Sequence, residues 1–183
     1  MALKQYKPYT KTTRSTVLID RSGLWKGKPY KSLTAPNKSV KGRNNLGRIT
    51  SRNHGGGHKQ KYRVIDFYRK KFDVVGSIER IEYDPNRSCH IMLVKFDDGE
   101  KAYYLAPQKI KVGDKIQNGP NSEIKVGNTL PLKDIPVGID IHNVEIQPGG
   151  GGKIARAAGA HVTISGSDGS YSIIKMTSGE VRK

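Results

Sequence analysis

The chain has 183 residues, with 33 Lys and Arg against 16 Asp and Glu, and its formal net charge is +17. Only 34% of the residues are hydrophobic and the mean hydropathy is −0.64, so no stretch approaches the roughly 20 consecutive apolar residues of a transmembrane helix. Cys89 is the single cysteine, which excludes a disulfide scaffold and a zinc site built on cysteines. The N-terminus shows no secretory signal, and we expect a water-soluble protein of a reducing compartment.

The positive charge lies at the N-terminal end of the chain. Residues 1–72 hold 19 of the 33 basic residues and only two acids, Asp20 and Asp66, whereas the rest of the chain is neutral overall. Up to about residue 60 the apolar residues occur mostly singly, among Gly, Asn, Ser and prolines that interrupt regular structure. Such a segment buries too little surface to offset its ordering entropy. We therefore expect an extended arm over residues 1–60, which becomes ordered on a polyanionic partner.

The rest of the chain predicts short strands and no helix of ten residues. Alternating or apolar runs bounded by turn residues predict strands over residues 77–83, 91–96, 101–105, 109–112, 114–116, 140–146, 161–164, 171–176 and 180–182. Turns at 97–100 and 166–169 are typical of β-hairpins. Residues 154–158 are the short helical candidate, and the Pro-rich segment 130–138 predicts a hinge. Strands at this spacing favour small antiparallel barrels and hence an all-β fold.

No group of side chains in the sequence indicates an enzyme. The glycine run at 148–153 is not a Walker A loop, because that motif requires Gly where Gln147 stands and Ser or Thr where Ile154 stands. The amides of this run favour a static contact with RNA phosphate, with a plain flexible loop as the alternative. Cys89 and His90 are adjacent in a strand-like segment and so point to opposite faces. We predict no catalytic residue and no cofactor.

His54 and His58 flank three glycines and offer two imidazoles. Three glycines are poor helix formers, so the i, i+4 geometry of a helical metal site is not expected. The segment has no Asp or Glu to complete a site, and Arg52, Lys59 and Lys61 would repel a cation. We therefore predict no metal, and we expect these imidazoles to hydrogen-bond or stack in a nucleic-acid contact.

The main functional signal is the basic run over residues 40–71, in which Arg and Lys alternate with Gly, Asn and aromatic residues. Guanidinium and ammonium groups bind phosphate, and aromatic rings stack on unpaired bases. An extended, irregular segment favours RNA over DNA, because the sequence offers no recognition helix for the major groove. The candidate RNA-binding residues of the run are Arg43, Asn44, Asn45, Arg48, Arg52, His54, His58, Lys59, Lys61, Arg63, Arg69, Lys70 and Lys71.

Ten short phrases along the chain resemble, in order, the ribosomal protein L2 (uL2) family of the large subunit, in its bacterial or organellar form. The phrases are KSLT at 31–34, GRNNLGRIT at 42–50, GGGHK at 55–59, YRVIDF at 62–67, EYDPNR at 82–87, GNTLPL at 127–132, IPVG at 135–138, HNVE at 142–145, ARAAG at 155–159 and SGEVR at 178–182. One such phrase has little weight, whereas ten in the correct order are specific.

The resemblance implies an extended basic arm at residues 1–60, an OB-fold-like barrel at 61–127 and an incomplete SH3-like barrel at 128–183. It also implies a structural constituent of the large subunit, which binds rRNA near the subunit interface and the peptidyl transferase region, beside neighbouring ribosomal proteins. Arg87 and Arg156 match arginines that the family uses at its RNA-binding face. Lys153 is added as their neighbour because of its glycine loop.

The family normally continues beyond the phrase at 178–182, with further strands and a basic extension directed towards the peptidyl transferase region. An interrupted barrel leaves an open strand edge, which proteins normally cover. We expect a separate polypeptide to supply the missing strands, as from a split gene, and this favours the mitochondrial matrix over the bacterial cytoplasm. The segment 24–29 also resembles the bacterial lineage from which mitochondria derive.

Two other functions stay open from the sequence. An RNA-processing enzyme requires an acid–base or metal cluster, which we do not find in the sequence. A general single-stranded nucleic-acid binder with an OB-like groove requires a platform of aromatic rings across one sheet face. The candidates for this platform are Tyr83, Phe96, Tyr103 and Tyr104.

Overall fold

A computed structural model describes residues 3–38 and 40–183, so Met1, Ala2 and Ser39 of the predicted arm lie outside the described residues. Within the described part, the chain forms short β-strands throughout, two 3₁₀ turns and one α-helix of five residues. The prediction of an all-β fold is confirmed. None of the described helices has the length and hydrophobicity that a membrane crossing requires.

The N-terminal segment, predicted to lack regular structure, contains several short elements: β1 (Leu3–Gln5), α1 (Lys11–Ser15), β2 (Val17–Ile19), a 3₁₀ turn (Lys31–Leu33), β3 (Thr34–Pro36) and β4 (Lys61–Arg63). β1 pairs antiparallel with β2, and β3 with β4. The helix begins after Thr10, whose hydroxyl accepts the Thr13 amide at 3.2 Å in a capping box. Such capping and pairing require no apolar period, which explains why the sequence pattern missed these elements.

The first four-stranded sheet contains β5 (Gly76–Glu82), β6 (Ile91–Phe96), β7 (Lys101–Leu105) and β8 (Lys115–Ile116). The strands are antiparallel, in the order β7-β6-β5-β8. The strands predicted at 91–96 and 101–105 are confirmed to the residue. The strand predicted at 109–112 is wrong, because Lys109 and Gly113 have positive φ (71° and 93°) and turn the chain between β7 and β8.

Strand β6 is buried on both faces, and this decides where the core lies. Met92, Val94 and Phe96 point to one side of the sheet, and Ile91 and Leu93 point to the other. Each side carries its own apolar cluster. The first cluster also contains Ile78, Tyr104 and Ile116, and the second also contains Ile65, Tyr103 and Leu105.

The second face of the sheet is covered by the end of the N-terminal segment. Ile65 is buried against this face, and Leu33 and Phe67 pack on the same cluster. The Tyr30 amide donates to the Tyr103 hydroxyl at 2.8 Å. These contacts hold the basic segment on the barrel, since the second cluster would otherwise face water.

Trp25, the single tryptophan, is fixed against β5. Its amide donates to the Ile81 carbonyl at 2.8 Å, and the Arg80 guanidinium lies 4.8 Å from the centroid of its ring. A Cβ at Gly27 would lie 2.6 Å from the indole nitrogen, so only glycine fits there without a shift of the ring. The tryptophan is 49% exposed and thus marks the rim of the covered face.

The C-terminal part contains β9 (Asp140–Ile141), β10 (Val144–Glu145), β11 (Gly152–Ile154), β12 (Val162–Asp168), β13 (Tyr171–Met176) and β14 (Val181–Arg182). The sheet order is β14-β13-β12-β9, and β10 pairs with β11. A 3₁₀ turn at Leu132–Asp134 lies in the predicted hinge segment. Val144, Val162, Ile164 and Ile174 are the buried apolar residues here. Two separate antiparallel sheets agree with the fold class that the resemblance implies.

Three local predictions in this part are wrong. The strand predicted at 140–146 is divided into β9 and β10, which belong to different sheets, because Asn143 between them has a φ of 54°. The turn predicted at 166–169 begins only at Gly169 (φ 59°), because a bulge shifts the register of β12 and the strand continues through Asp168. The helical candidate 154–158 does not form, because Ala155 has a φ of 54° and breaks the right-handed path directly after β11.

Arg69 is buried, with 5% of its surface exposed. Its Nη1 donates to the Gly127 carbonyl and to the Thr129 hydroxyl, both at 2.8 Å, and the guanidinium lies 4.3 Å from the Tyr104 ring. These internal partners hold the side chain inside the fold, so the structure gives no support to the RNA contact predicted for Arg69. Its role is to join the first barrel to the segment that follows it.

We predict that Gly76→Ala lowers the free energy of unfolding by about 1–3 kcal/mol, because an inserted methyl overpacks the first cluster. A Cβ at Gly76 would lie 2.6 Å from Val94 Cγ1 and 3.1 Å from the Phe96 ring. The matched control is Gly166→Ala, another strand glycine, whose Cβ would have nothing within 4 Å. Urea unfolding curves measure both, and equal midpoints for the two variants would contradict the prediction.

Burial, and then the nearby charge of Arg69, lower the pKa of His142 to about 4. An imidazole in the unfolded chain has a pKa near 6.5, so between these two values the unfolded state binds the proton more readily. The contribution of His142 to the free energy of unfolding is therefore constant above about pH 6.5 and is lost progressively as the pH falls from there to about 4. We expect His142 to lower the free energy of unfolding by roughly 2 kcal/mol between pH 7.5 and pH 5.

The measurement is urea unfolding at both pH values for the wild type and for His142→Asn. The variant is expected to lose less stability on acidification than the wild type. His161→Gln, at an exposed histidine, is the control and keeps the wild-type pH dependence. The same loss in wild type and His142→Asn would show that other groups cause it.

Candidate nucleic-acid interface

Residues 40–59, here called the arm loop, form an exposed, internally hydrogen-bonded turn structure. The Gly42 carbonyl accepts the amides of Thr50 at 2.9 Å and Ser51 at 3.2 Å, which closes the loop. Gly42 is buried with a φ of 61°, and a Cβ there would lie 2.2 Å from the Ser51 carbonyl oxygen. Glycine is therefore required at this position for the loop to close.

Two of the predicted RNA-binding side chains also stabilise the arm loop itself. The Asn44 side-chain oxygen accepts the amides of Leu46 at 3.0 Å and Arg48 at 2.9 Å. The Arg43 Nη1 donates to the Gly47 carbonyl at 2.7 Å. The oxygen of Asn44 is thus used within the protein, while Arg43 lies at the surface with part of its guanidinium engaged.

The arm loop lines an open, positively charged pocket with a volume of about 700 Å³, whose wall is a concave basic surface. Its lining contains no acidic residue, and the backbone of Gly55 and Gly56 (φ 103° and 76°) forms one wall. Basic side chains around backbone amides suit a phosphate group. The lining residues are Lys41, Arg43, Ile49, Ser51, Arg52, Asn53, His54, Gly55 and Gly56.

The other candidates of the arm loop and of β4 are also exposed. His58 Nδ1 lies 2.9 Å from the Lys59 carbonyl, so this imidazole is oriented by its neighbour. Among the described residues, no three His, Cys, Asp or Glu side chains come together as ligands for a metal. The candidates exposed in this way are Asn45, Arg48, Arg52, His54, His58, Lys59 and Lys61.

Asp84 is a buried carboxylate that holds two of the predicted arginines. Arg87 Nε donates to it at 2.6 Å, and Arg63 Nη1 lies 3.9 Å away. Asn86 adds its amide, at 3.0 Å, and links the turn to the carbonyl of Lys61 at 2.8 Å. The Arg87 guanidinium is thus fixed in the turn with 16% of its side chain exposed, and that of Arg63 lies beside it with 12% exposed, because a fully buried carboxylate needs compensating donors.

Arg156 and Lys153 lie on the other predicted surface, at and after β11, and both residues are exposed. Arg156 Nε donates to the Gly152 carbonyl at 2.6 Å, and the guanidinium lies 4.0 Å from the Phe67 ring. Arg87 lies similarly, 5.7 Å from the Tyr62 ring. Both arginines are therefore supported by rings of one segment, residues 62–67.

The surfaces around Arg87 and Arg156 are in contact. The Ala158 amide donates to the Ser88 hydroxyl at 3.1 Å, which joins the turn after β5 to the loop after β11. The structure thus joins the two segments that carry Arg87 and Arg156, which are 69 positions apart in the sequence. The side chain of Arg63 lies in the same region, on Asp84.

The glycine loop before Lys153 does not offer the phosphate contact that its sequence favours. The amides of Gly149 and Gly151 donate to the Glu145 carboxylate at 2.8 and 2.9 Å. The Gly150 amide donates to the Gln147 carbonyl at 2.9 Å, and the Gly152 amide to the Phe67 carbonyl at 3.0 Å. All four amides thus have acceptors within the protein, which does not favour a contact of these amides with RNA phosphate.

Lys70 and Lys71 differ in their surroundings. Lys70 is exposed, with its ammonium 5.1 Å from the Tyr68 ring. Lys71 forms ion pairs with Asp98 and Glu100, and these hydrogen bonds, that to Asp98 first, raise the pKa of its ammonium group. Acids of the β6–β7 turn therefore already balance the charge of Lys71, whereas that of Lys70 faces solvent.

The aromatic platform required for a general single-stranded binder does not form. Phe96, Tyr103 and Tyr104 are buried, and the Tyr103 hydroxyl donates to Glu82 at 2.9 Å. Tyr83 is partly exposed, but the Arg21 guanidinium lies 3.7 Å from its ring. The four candidate rings serve the core and a cation–π contact, so none is presented together with another for base stacking.

Cys89 shows no nucleophilic pairing with His90. The thiol is half-buried and packs on the second cluster, and burial raises its pKa. Burial and the charge of Arg21 lower the pKa of His90. A thiol with a raised pKa is a poor nucleophile, so the structure assigns Cys89 a role in packing.

The functional residues that the sequence interpretation missed are acids. Asp84 precedes Pro and Asn, a turn signal that indicates an oxygen able to accept backbone and side-chain donors. No comparable signal surrounds Glu145. Its donors, the amides of Gly149 and Gly151, lie four and six residues further along the chain and reach the carboxylate only when the loop is closed. Charge counting favoured basic residues and passed over the acids that orient them.

Comparisons with known proteins agree with these features. Residues 30–118 match the model of ribosomal proteins L2, RNA binding N-terminal domain, and residues 125–183 match the L2 C-terminal domain. Large ribosomal subunit protein uL2 of Pelagibacter ubique is 73% identical over 184 residues, covering 100% of this chain and 66% of the relative.

More distant relatives give the same match over the whole chain. The uL2 protein of Granulibacter bethesdensis is 57% identical and that of Ruegeria pomeroyi 56% identical, each over 182 residues and 100% of this chain. The chain spans 66% and 65% of the length of these two relatives. With both domain models matched in order and these identities, the chain belongs to the ribosomal protein L2 (uL2) family.

Proposed function

We propose that this protein is a structural constituent of the large ribosomal subunit, which binds and stabilises large-subunit rRNA during translation. Its site is the region of the subunit interface and the peptidyl transferase region. The concave basic surface of the arm loop carries this proposal, because it combines Arg, Lys and backbone amides with no acid in its lining. The match to the L2 RNA binding N-terminal domain and the uL2 names of the relatives support it.

Binding has two components in this proposal. The arm loop supplies most of the sequence-independent attraction to phosphate through Arg43, Arg48 and Arg52, all exposed. Arg87 and Arg156 supply a rigid docking surface, because internal acceptors and rings fix their orientation. The remaining candidates, among which Lys71 is already paired with Asp98 and Glu100, are proposed as further RNA contacts: Asn44, Asn45, His54, His58, Lys59, Lys61, Arg63, Lys70, Lys71 and Lys153.

We propose the division into an arm at 1–60, an OB-fold-like barrel at 61–127 and an SH3-like barrel at 128–183. The two separate four-stranded sheets support it. The contacts of Trp25 and Tyr30 with the first sheet indicate that the arm is attached to the barrel well before residue 60. The arm's function as an RNA-binding segment does not require it to be free of the barrel.

The role proposed here includes no chemical reaction. The relatives are named as ribosomal proteins, and membership of this family supports the proposal that the protein is not an enzyme. The alternative of a general single-stranded binder is not favoured, because the rings it requires are buried or covered by Arg21.

The outer edge of β14 carries the proposal of a separate polypeptide. In the order β14-β13-β12-β9 this strand is terminal, and both of its residues are exposed. An exposed edge offers unpaired backbone groups to an added strand. Neighbouring ribosomal proteins and a polypeptide that completes the sheet are the proposed protein partners, and co-purification with tagged protein tests both.

The cellular compartment follows from the ribosome to which the protein belongs. The relatives described above are bacterial, which supports a ribosome of the bacterial cytoplasm. The mitochondrial matrix, favoured by the split-gene argument, stays a prediction. Immunogold labelling of the native cells distinguishes the two.

The first test is competition binding to labelled domains of Pelagibacter ubique large-subunit rRNA at about 0.15 M salt. Unrelated duplex and single-stranded RNA are the competitors. We expect the same rRNA domains without label to displace the probe at lower concentrations than either unrelated RNA. Equal competition by every RNA would contradict the ribosomal role.

We predict that the double variant Arg48→Gln/Arg52→Gln weakens rRNA binding and lowers the slope of log K against log salt by about 2, because each arginine releases one counterion. The matched control is Lys115→Gln/Lys175→Gln, which removes the same charge from exposed positions in β8 and β13. Binding measured from low to high salt gives both slopes. An equal decrease in the control would show that only bulk charge matters.

We predict that Arg87→Ala and Arg156→Ala each weaken rRNA binding more than Lys4→Ala, by roughly tenfold against twofold or less. The two arginines are held by hydrogen bonds, whereas Lys4 is exposed and its ammonium group lies 5.9 Å from the centroid of the Tyr6 ring. Filter binding measures affinity, and thermal unfolding shows whether each variant is folded. Three equal, small effects would overturn this prediction.

A further inference from the structure

The loop between β10 and β11, residues 146–151, already holds a carboxylate in the place that a phosphate would take. Glu145 Oε2 accepts the Gly149 amide at 2.8 Å, and Oε1 accepts the Gly151 amide at 2.9 Å. Both glycines have positive φ, 74° and 75°, which turns their amides towards one anion. Backbone nests of this kind bind phosphate in other proteins.

The closed loop is connected directly to Arg156. Gly152 follows the loop, and its amide donates to the Phe67 carbonyl at 3.0 Å while its carbonyl accepts Arg156 Nε at 2.6 Å. A Cβ at Gly152 would lie 2.3 Å from Asn143 Oδ1, so the loop can follow this path only with glycine at this position. The guanidinium of Arg156 then lies on the Phe67 ring, 4.0 Å away. The position of Arg156 thus depends on the path of the loop.

We infer that Glu145 is a positioning residue whose carboxylate replaces a phosphate inside the loop and thereby holds Arg156 for RNA binding. The inference rests on the proposed function. Removal of the carboxylate leaves the Gly149 and Gly151 amides without their acceptor, which permits the loop to open. Gly152 then loses its fixed carbonyl, and Arg156 loses the acceptor that orients it.

An opposite role is distinguishable by experiment. If an RNA phosphate displaced Glu145 from the two amides, the carboxylate would be an inhibitor of binding, and its removal would strengthen affinity. The internal use of all four glycine amides and the link to Arg156 favour the positioning role. The sign of the change in affinity on Glu145→Ala separates the two.

The test measures binding of the 183-residue chain to the Pelagibacter ubique rRNA domains. We expect Glu145→Ala to weaken binding roughly fivefold, and Glu145→Gln, which keeps one acceptor oxygen, to lie between it and the wild type. Glu123→Ala removes the same charge from an exposed residue paired with Lys125 and is expected to leave binding unchanged. Since Glu145 acts through Arg156, Glu145→Ala/Arg156→Ala should bind no more weakly than Arg156→Ala alone.

A second readout needs no RNA. The amide resonances of Gly149 and Gly151 are expected to move upfield in Glu145→Gln and Glu145→Ala, whereas inorganic phosphate leaves them unchanged in the wild type. The inference would be overturned if Glu145→Ala bound RNA as tightly as the wild type or more tightly, or if the effects of the two substitutions were additive in the double variant. It would also be overturned if inorganic phosphate moved the Gly149 and Gly151 resonances of the wild type. A wild type without preference for rRNA would overturn the proposed function instead, and the glycine resonances would still test whether Glu145 holds the loop.

Discussion

The burial of β6 on both faces is the constraint on which the rest of the structure depends. A strand with apolar residues on both sides requires cover on both sides, and the chain provides the second cover from the end of its basic segment, through Ile65, Leu33 and Phe67. The candidate RNA-binding residues of this segment are consequently attached to the hydrophobic core. The same segment, residues 62–67, supports Arg87 through Tyr62 and Arg156 through Phe67.

Several acidic side chains hold basic side chains in place or accept hydrogen bonds from the amides of turns. Asp84 holds Arg87, Glu145 closes the loop before Arg156, and Asp66 accepts the amides of Tyr68 and Arg69 at 2.9 and 3.0 Å. In a protein with twice as many bases as acids, each carboxylate has several donors available. The excess charge is thereby arranged in fixed positions, which is what a shaped RNA surface requires.

The sequence predicted the fold best where a period or a turn decided the structure, as in β6, β7 and β13. It failed at Lys109 and Ala155, where single residues other than glycine adopt positive φ, which the hydrophobic pattern of the sequence does not indicate. The exposed basic residues of the arm loop were found from charge alone. The burial of Arg69 was missed, because its acceptors at Gly127 and Thr129 are remote in sequence.

The position of Trp25 makes its intrinsic fluorescence a probe of how the N-terminal segment is attached to the barrel. It is the single tryptophan, its amide is bonded to β5, and its ring lies under the Arg80 guanidinium at the rim of the covered face. Detachment of the N-terminal segment from the barrel exposes the indole to water and removes the cation beside it, and both changes alter its emission. Arm docking is therefore visible in the unlabelled protein, against RNA that contributes no signal in that wavelength range.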